Sequence, residues 1–403
     1  MSTEPAGAPR RWTDAAGAWL GLGAAPAALI MGAGMADRNG GALPLVAVLC
    51  GAVLMALLLF GQGALGVRPP YGEGATLTEV APRYLHPSSR PLIGLVLGIA
   101  MIGWNGFNVG LGGASLAAVT GLPGPVAALL LAATVIAASF ASPRLGNRIA
   151  VLTTLSALAL VALCLIRLRP DSAPVTVGVG GLGMAADVAA MCGYAAVFAL
   201  RAPDFSRDLA GRRDLLWCVG LLVVPAALLV VAGAGVWLRT GSADVVAVLG
   251  GTAGIAAYGN LFVTAGIFAP SLTTTFSGAL ALRGVWPRLS TAVATLLVAV
   301  PGAALAAMRF DRLMLPWLTV LAAALPPLVV PMAVEAFRRR RGRTPRTVPV
   351  WTWLPAGAVA VTLTVLGTPV AALVGLLLAA LATAGHLRRR PPGTGTTDRR
   401  LSR

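Results

Sequence analysis

Apolar runs of about twenty residues recur along this chain from Ala15 to His386, separated only by short polar connections. A helix rises about 1.5 Å per residue, so about 20 residues cross a hydrocarbon core of about 30 Å. The runs fall at 15–35, 43–66, 91–119, 123–141, 149–166, 182–201, 214–238, 245–270, 289–308, 313–337, 350–367 and 369–387, which predicts twelve membrane spans. A membrane β-barrel would instead show segments of about 10 residues alternating apolar and polar. These runs are apolar all round and rich in Ala, Leu and Val, so the reading is all-α, with backbone polar groups satisfied inside each helix. The run 15–35 follows Arg10 and Arg11 as a signal peptide would, but eleven further spans make an uncleaved first helix the simpler reading.

Charge gives the orientation. The net charge of +17 comes entirely from Arg among the basic residues, and these sit between apolar runs rather than on one amphipathic face. Nucleic acid is therefore not the expected partner; the lipid bilayer is. With the N-terminus inside, inner segments hold 25 of the 31 Arg and outer loops 6, as the positive-inside rule requires. This predicts a multi-pass protein of the inner (cytoplasmic) membrane with both termini cytoplasmic.

No connection is long enough for a soluble domain, so function is expected inside the helical bundle, with no obligate protein partner evident. The organisation reads as a cytoplasmic tail (1–14), a transport core (15–337), a basic loop (338–349), a helical hairpin turning at Gly367-Thr368-Pro369 (350–387) and a disordered tail (388–403). The run Arg338–Arg341 with Arg343 and Arg346 reads as a topology anchor facing anionic lipid. The core divides into two sets of five spans, 15–166 and 182–337, with helix breakers in the first member of each: Gly21, Gly23 and Pro26 in span one, Gly193 and Pro203 in span six. Paired interruptions of this kind point to an inverted-repeat transporter, because unwound backbone is tolerated in a bilayer only where it lines a site.

Polar side chains within the runs are few. Asn105 and Asn108 fall in span three and Asn260 in span eight, and such groups in hydrocarbon mark candidate sites. Trp104 precedes Asn108 by four residues, so a stacking surface and an amide share one helical face. An amide has donors and acceptors enough to read the edge of a heterocyclic base, although a packing indole and an interhelical amide would look the same. Asp187 and Asp244 lie near span ends and read as solvated carboxylates, with a cation or proton role as the alternative. Glu335 is placed to pair with Arg338 or Arg339.

Other patterns carry no chemistry. Cys50, Cys164, Cys192 and Cys218 lie in apolar runs without metal-ligand spacing, and neither His86 nor His386 has a partner. No metal or cofactor is expected. Residues 178–183 match GxGxxG, but no strand precedes them, so the match is accidental.

Four stretches resemble the nucleobase:cation symporter family one, the purine/cytosine permeases. Gly103-Trp104-Asn105-Gly106-Phe107-Asn108 is similar to the family's G-W-F-G-V-N segment, and Pro203-Asp204-Phe205-Ser206-Arg207 to its D-Y-S-R-F signature, with Gly193 eleven residues before the Asp. Asn260 to Gly266 resembles the segment of the eighth helix in which an Asn precedes Y-S-A. Pro326-Pro327 with Glu335 resembles the P-P-x-x-G-x-x-x-A-D pattern ending the tenth. The four are in register over about residues 15–340.

The resemblance implies a LeuT-type fold of two inverted five-helix repeats plus two helices. It implies uptake of a planar heterocycle by alternating access, coupled to H+ or Na+. Trp104 would stack on the base, Asn108 and Asn260 would hydrogen-bond it, and Gly193, Tyr194, Ala195 and Thr264 would complete its surroundings. Asp204 and Arg207 would be structural, with Asp204 pairing locally and capping the following turn. Two departures stand out: Ala195 occupies a position where the family commonly has an aromatic, and the candidate cation positions, Ala24 and Ala25 in span one and Ala256 and Ala257 in span eight, bring no hydroxyl. Sodium, proton and uncoupled uptake all remain open. The competing readings are an amino acid or amine carrier of the same fold and a non-transporting membrane sensor; an intramembrane enzyme lacks any acid–base cluster at mid-depth.

Overall fold

The computed structural model describes residues 9–141, 143–167, 182–251 and 258–388; these are mostly helical, with no β-strand among them. Eight stretches are long and apolar enough to cross a membrane, and four shorter apolar helices accompany them, Gly124–Ser139, Val151–Cys164, Thr291–Ala307 and Val350–Val365. In chain order the helices are α1 (Trp12–Gly23), α2 (Ala27–Arg38), α3 (Leu45–Gly66), α4 (Leu77–Tyr84), α5 (Ser89–Thr120), α6 (Gly124–Ser139), α7 (Pro143–Arg167), α8 (Leu182–Ser206) and α9 (Arg212–Thr240). They continue as α10 (Val245–Gly250), α11 (Gly259–Gly266), α12 (Phe268–Val285), α13 (Thr291–Ala307), α14 (Met314–Ala324), α15 (Pro326–Arg340), α16 (Leu354–Val365) and α17 (Ala371–Arg388).

Two groups of helices pack among themselves more than with each other. One, the bundle, joins α1, α2, α3, α8 and α9; the other, the scaffold, joins α5, α6, α11, α12 and α13. Small residues let backbones meet, since lipid supplies no hydrophobic drive between helices. In the bundle a Cβ on Gly32 would lie 1.9 Å from the Val230 carbonyl, and one on Gly233 would lie 1.8 Å from that of Leu29. Any larger residue at either position would separate α2 from α9. On α3, Leu49, Val53 and Leu57 repeat every four residues and are exposed, which gives the lipid-facing stripe.

Span one breaks where its glycines and proline predict. Helix α1 ends at Gly23, Ala24 and Ala25 are non-helical, and α2 resumes after Pro26, which lacks the N–H a continuous helix would use. Span six does not break: α8 runs unbroken through Gly193 and Pro203, against expectation. Gly193 answers a different need, because a Cβ there would fall 1.8 Å from the Leu318 carbonyl of α14. Span eight shows only a one-residue irregularity, at Ile267 between α11 and α12, where the backbone stays in the αR region, and the Pro26 ring sits against Gly266. The break of span one therefore faces this irregularity.

Span eight itself is displaced from its expected position. The run 245–270 takes in the short α10, all of α11 and only the start of α12, and the crossing extends through α12 to Val285. Hydropathy alone assigned Ser271-Leu272-Thr273-Thr274-Thr275 to a loop, yet this stretch is helix. The hydroxyls pay little for this position, because Thr274 and Thr275 return theirs to the Ser271 carbonyl at 2.9 and 2.8 Å.

The connection after α15 is also more than a lipid anchor. Fully buried Glu335 receives Arg338 Nε at 2.8 Å, Arg339 Nε at 2.9 Å and the Arg346 N–H at 2.7 Å. Arg339 then lies over the Tyr84 ring at 4.2 Å, joining α15 to α4. The hairpin α16–α17 packs on α14 and α15 and turns at Gly367, whose φ of 78° suits a residue without Cβ. Pro326 and Pro327 open α15, and Pro327 touches the position of Gly375 in α17. The tails 1–8 and 389–403 and the motif residues 178–181 lie outside the described residues.

Candidate functional site

Trp104 lies in the middle turns of α5 and is 2% exposed, turned into the protein and away from lipid. Its ring meets Tyr194 of α8 edge to face, with centroids 5.5 Å apart and planes at 85°, and Phe107 in the same manner at 5.9 Å. Phe198 is tilted against it at 6.0 Å. The Tyr194 hydroxyl donates to the Leu22 carbonyl at 2.8 Å, in the last turn of α1. One aromatic cluster therefore joins span three, span six and the break in span one.

Asn108 follows one turn after Trp104 and is also buried. The Trp104 Nε1 and the Asn108 Oδ1 are both enclosed without a hydrogen-bond partner. A buried donor or acceptor left unpaired costs about 1–3 kcal/mol. Trp104 Nε1 and Asn108 Oδ1 are two of eleven such atoms among the described residues, a donor and an acceptor sharing one face of α5. Asn105 differs: its Nδ2 donates to Thr275 Oγ1 at 2.7 Å, holding α5 to α12 within the scaffold. Ala195 is buried beside Tyr194 and extends the apolar wall.

The structure does not bring Asn260 to this cluster. Asn260 begins α11, and its Nδ2 donates to the Val246 carbonyl of α10 at 3.0 Å. Gly250, the neighbour of that amide, also faces Ala118, fourteen residues along α5 from Trp104, or about 21 Å at helical rise. Thr264 bonds the carbonyls of Asn260 at 2.9 Å and of Gly112 at 3.3 Å, the latter one turn along α5 from Asn108. The misplacement of span eight explains the position of Asn260. At the level of Trp104 the scaffold presents α12, where Ser271 is fully buried with an unpartnered Oγ.

Around the break, Ala24 and Ala25 are buried; the Ala24 N–H still donates to the Leu20 carbonyl at 2.8 Å, and the Ala25 carbonyl accepts the Ala28 N–H at 3.0 Å. Ala256 and Ala257 lie outside the described residues. Across from α1, Ala269 stands 3.7 Å from where a Cβ on Gly21 would be, and Thr273, one turn further along α12 and short of the break, lines a cavity of about 470 Å3 with Ala18, Trp19, Asp14 and Asp204. Hard cations take oxygen ligands, but Ser271 and Thr273, two residues apart on α12, point to different faces and do not converge on one ion. The uncharged stretch from Val245 to Leu282 was the signal for them: a span ending beside Arg283 has to include residues 271–277.

Among the described residues the carboxylates are all engaged. Asp187 is 1% exposed and pairs with Arg38, and it accepts Asn39 Nδ2 at 2.7 Å, so it is not the solvated group expected. Asp244 caps α10 by accepting the Ala247 N–H at 3.0 Å. Asp204 pairs locally, with buried Arg201, but its other oxygen accepts the Leu77 N–H at 2.8 Å. It therefore caps the N-terminus of α4, not the turn that follows it. Arg207 lies 3.6 Å from Asp208. Arg201 also donates to the Ser277 carbonyl, a link from bundle to scaffold that sequence reasoning missed.

No family model and no curated protein matches the sequence. Solved structures do. Mhp1, a nucleobase-cation-symport-1 family transporter in a closed conformation with bromovinylhydantoin bound, is 19% identical, with a TM-score of 0.71 over 96% of this chain and 95% of its own. The inward-facing conformation of Mhp1 matches at a TM-score of 0.68 and 19% identity, over 95% of this chain and 94% of that one. A Na+-coupled sialic acid symporter in a substrate-bound outward-open state is 12% identical, with a TM-score of 0.62 over 94% and 90% of the two chains. This chain thus has the LeuT-type fold, an all-α membrane architecture of about twelve spans in two inverted sets of five with a C-terminal hairpin.

Proposed function

We propose that this chain is a secondary transporter that takes up a nucleobase or related planar heterocycle across the cytoplasmic membrane. Cytosine, a purine, hydroxymethylpyrimidine and a hydantoin-like compound share the required shape, a flat ring with adjacent N–H and C=O groups on one edge. This is the reading of a nucleobase:cation symporter family one permease. The observation that carries it is the pair of unpartnered buried atoms, Trp104 Nε1 and Asn108 Oδ1, one turn apart on α5 beside the Tyr194 ring. Hydrogen bonds to such a ligand recover the desolvation of both atoms, and the aromatic surfaces accept its faces.

The mechanism is alternating access, in which the bundle and the scaffold rock about the ligand. Trp104 and Asn108 belong to the scaffold, whereas Tyr194 and the span-one break belong to the bundle, so a ligand between them senses the position of both. A cation held where α1 faces α12, with the Thr273 hydroxyl among its oxygens, bridges the same two groups. It couples to transport by binding one arrangement more tightly than the other.

Uptake of a panel of radiolabelled bases into proteoliposomes, with and without a sodium gradient, tests the reading. At least one base is expected to enter, and Trp104→Ala to abolish both its binding and its uptake. An amine or amino acid carrier would only have its packing disturbed by that substitution. Full uptake by Trp104→Ala, or flux confined to amines, would overturn the proposal.

A further inference from the structure

At the arginine-rich end, a cavity of about 590 Å3 opens between bundle and scaffold. That volume lies within the range of about 300–1,000 Å3 usual for small-molecule sites. Its walls carry five guanidinium groups, those of Arg10, Arg90, Arg201, Arg207 and Arg283. The carboxylates facing them are Asp204 and Asp208, with Glu79 nearby on α4. Asp204 is committed to Arg201 and to the Leu77 N–H, and the backbone N–H of Thr76 holds the Glu79 carboxyl below the usual carboxylate range. Asp208 faces Arg207 at 3.6 Å. Among the described residues the guanidinium groups of Arg10 and Arg90 have no partner, and Arg283 has only the Thr291 hydroxyl at 3.0 Å.

A positive-inside bias by itself is met equally well by arginines spread toward water or headgroups. Here they converge on a concavity, where low-dielectric walls focus their field on whatever enters. The set is also divided between the two moving groups. Arg10, Arg201 and Arg207 belong to the bundle side, while Arg90 opens α5 and Arg283 closes α12 on the scaffold side.

We propose that this cavity is an anion site for a phosphate-bearing ligand, gripped from the bundle by Arg10 and Arg207 and from the scaffold by Arg90 and Arg283. Guanidinium groups match phosphate oxygens with paired N–H donors, and several around one anion relieve their mutual repulsion. A ligand bridging both groups fixes the width of the opening. It therefore slows the conformational cycle from the arginine-rich side without touching Trp104 or Asn108. The phosphate belongs either to a free solute or to a lipid headgroup.

The binding test does not depend on transport. Titration calorimetry of the purified full chain with inorganic phosphate is run in nanodiscs of phosphatidylcholine and again in discs containing phosphatidylglycerol. Saturable binding is expected in the first. It is expected to weaken by about tenfold, the worth of one hydrogen bond to a charged group, in Arg90→Gln and in Arg283→Gln. Arg343→Gln removes the same charge from an exposed loop position away from the cavity and is expected to bind as the parent does. Arg90→Lys, which keeps the charge and loses the planar fork, stands in if Arg90→Gln does not fold. Competition by phosphatidylglycerol would assign the site to a headgroup, and binding unaffected by it to a free phosphate. Equal losses in all three glutamine variants, or no saturable binding together with no effect of phosphatidylglycerol, would overturn the proposal.

Discussion

The Tyr194 hydroxyl donates to the Leu22 carbonyl across 2.8 Å, tying the middle of α8 to the final turn of α1 just before the chain breaks. A helix ending in mid-membrane leaves carbonyls without partners, and this phenol satisfies one of them. It also fixes the angle at which the Tyr194 ring meets Trp104. The contact therefore serves both the fold and the candidate site.

Tyr194→Phe removes that hydrogen bond and keeps the ring. The expected loss is about 1 kcal/mol of stability, with the larger effect on ligand affinity, because Leu22 and the Trp104 contact are no longer held in one geometry. Thermal unfolding in detergent and equilibrium binding read the two effects. Unchanged values for both would show that the bond only decorates the break.

Gly193→Ala places a Cβ 1.8 Å from the Leu318 carbonyl and is expected to force α8 from α14. Overpacking of this kind costs about 1–3 kcal/mol or more, and the variant should fold in lower yield. Gly220→Ala, where a Cβ meets nothing within 4 Å, should be neutral or mildly stabilising. Fluorescence size-exclusion profiles of the two variants give the comparison. Equal behaviour would mean that α8 and α14 are not pressed together in the membrane.

Glu335→Gln removes a fully buried carboxylate from two arginines and a backbone N–H. Leaving the guanidinium groups without their counter-charge should cost about 3–5 kcal/mol. Glu73→Gln breaks a more exposed pair with Arg83 and should cost about 1 kcal/mol or less. Melting temperatures that rank these two variants in the reverse order would contradict the account of the α15 network.

Thr273→Val tests the coupling proposal. It replaces a hydroxyl facing α1 across the cavity of about 470 Å3 by a methyl of similar size, and the half-saturating sodium concentration for uptake should rise by roughly tenfold. Thr264→Val, in the same span but bonded to Gly112 and Asn260, should leave it alone. Sodium dependence identical in Thr273→Val and parent would remove Thr273 from the cation site.

Much of the architecture was open to reading because membrane solvent leaves little choice. Pro26 was recognisable as a helix breaker from its missing N–H alone, and Trp104 and Asn108 were recognisable as neighbours from their spacing of four. The reading failed where a residue's purpose depends on what lies across from it. Gly193 looked like an unwound ligand position and proved to be a contact with Leu318. Asn260 looked central and proved to begin a helix, because a run of hydroxyl residues lowers hydropathy although those hydroxyls bond their own backbone.

The amino-acid order alone determined that this chain lives in a bilayer, that it crosses about twelve times and that its first span is interrupted, since each follows from the cost of placing backbone or charge in hydrocarbon. Tertiary structure decided which polar atoms remain unsatisfied, what the break of span one faces and which arginines converge on one cavity. Those are relations between helices distant in sequence, and they depend on small residues that let particular backbones touch, a constraint that no local pattern records.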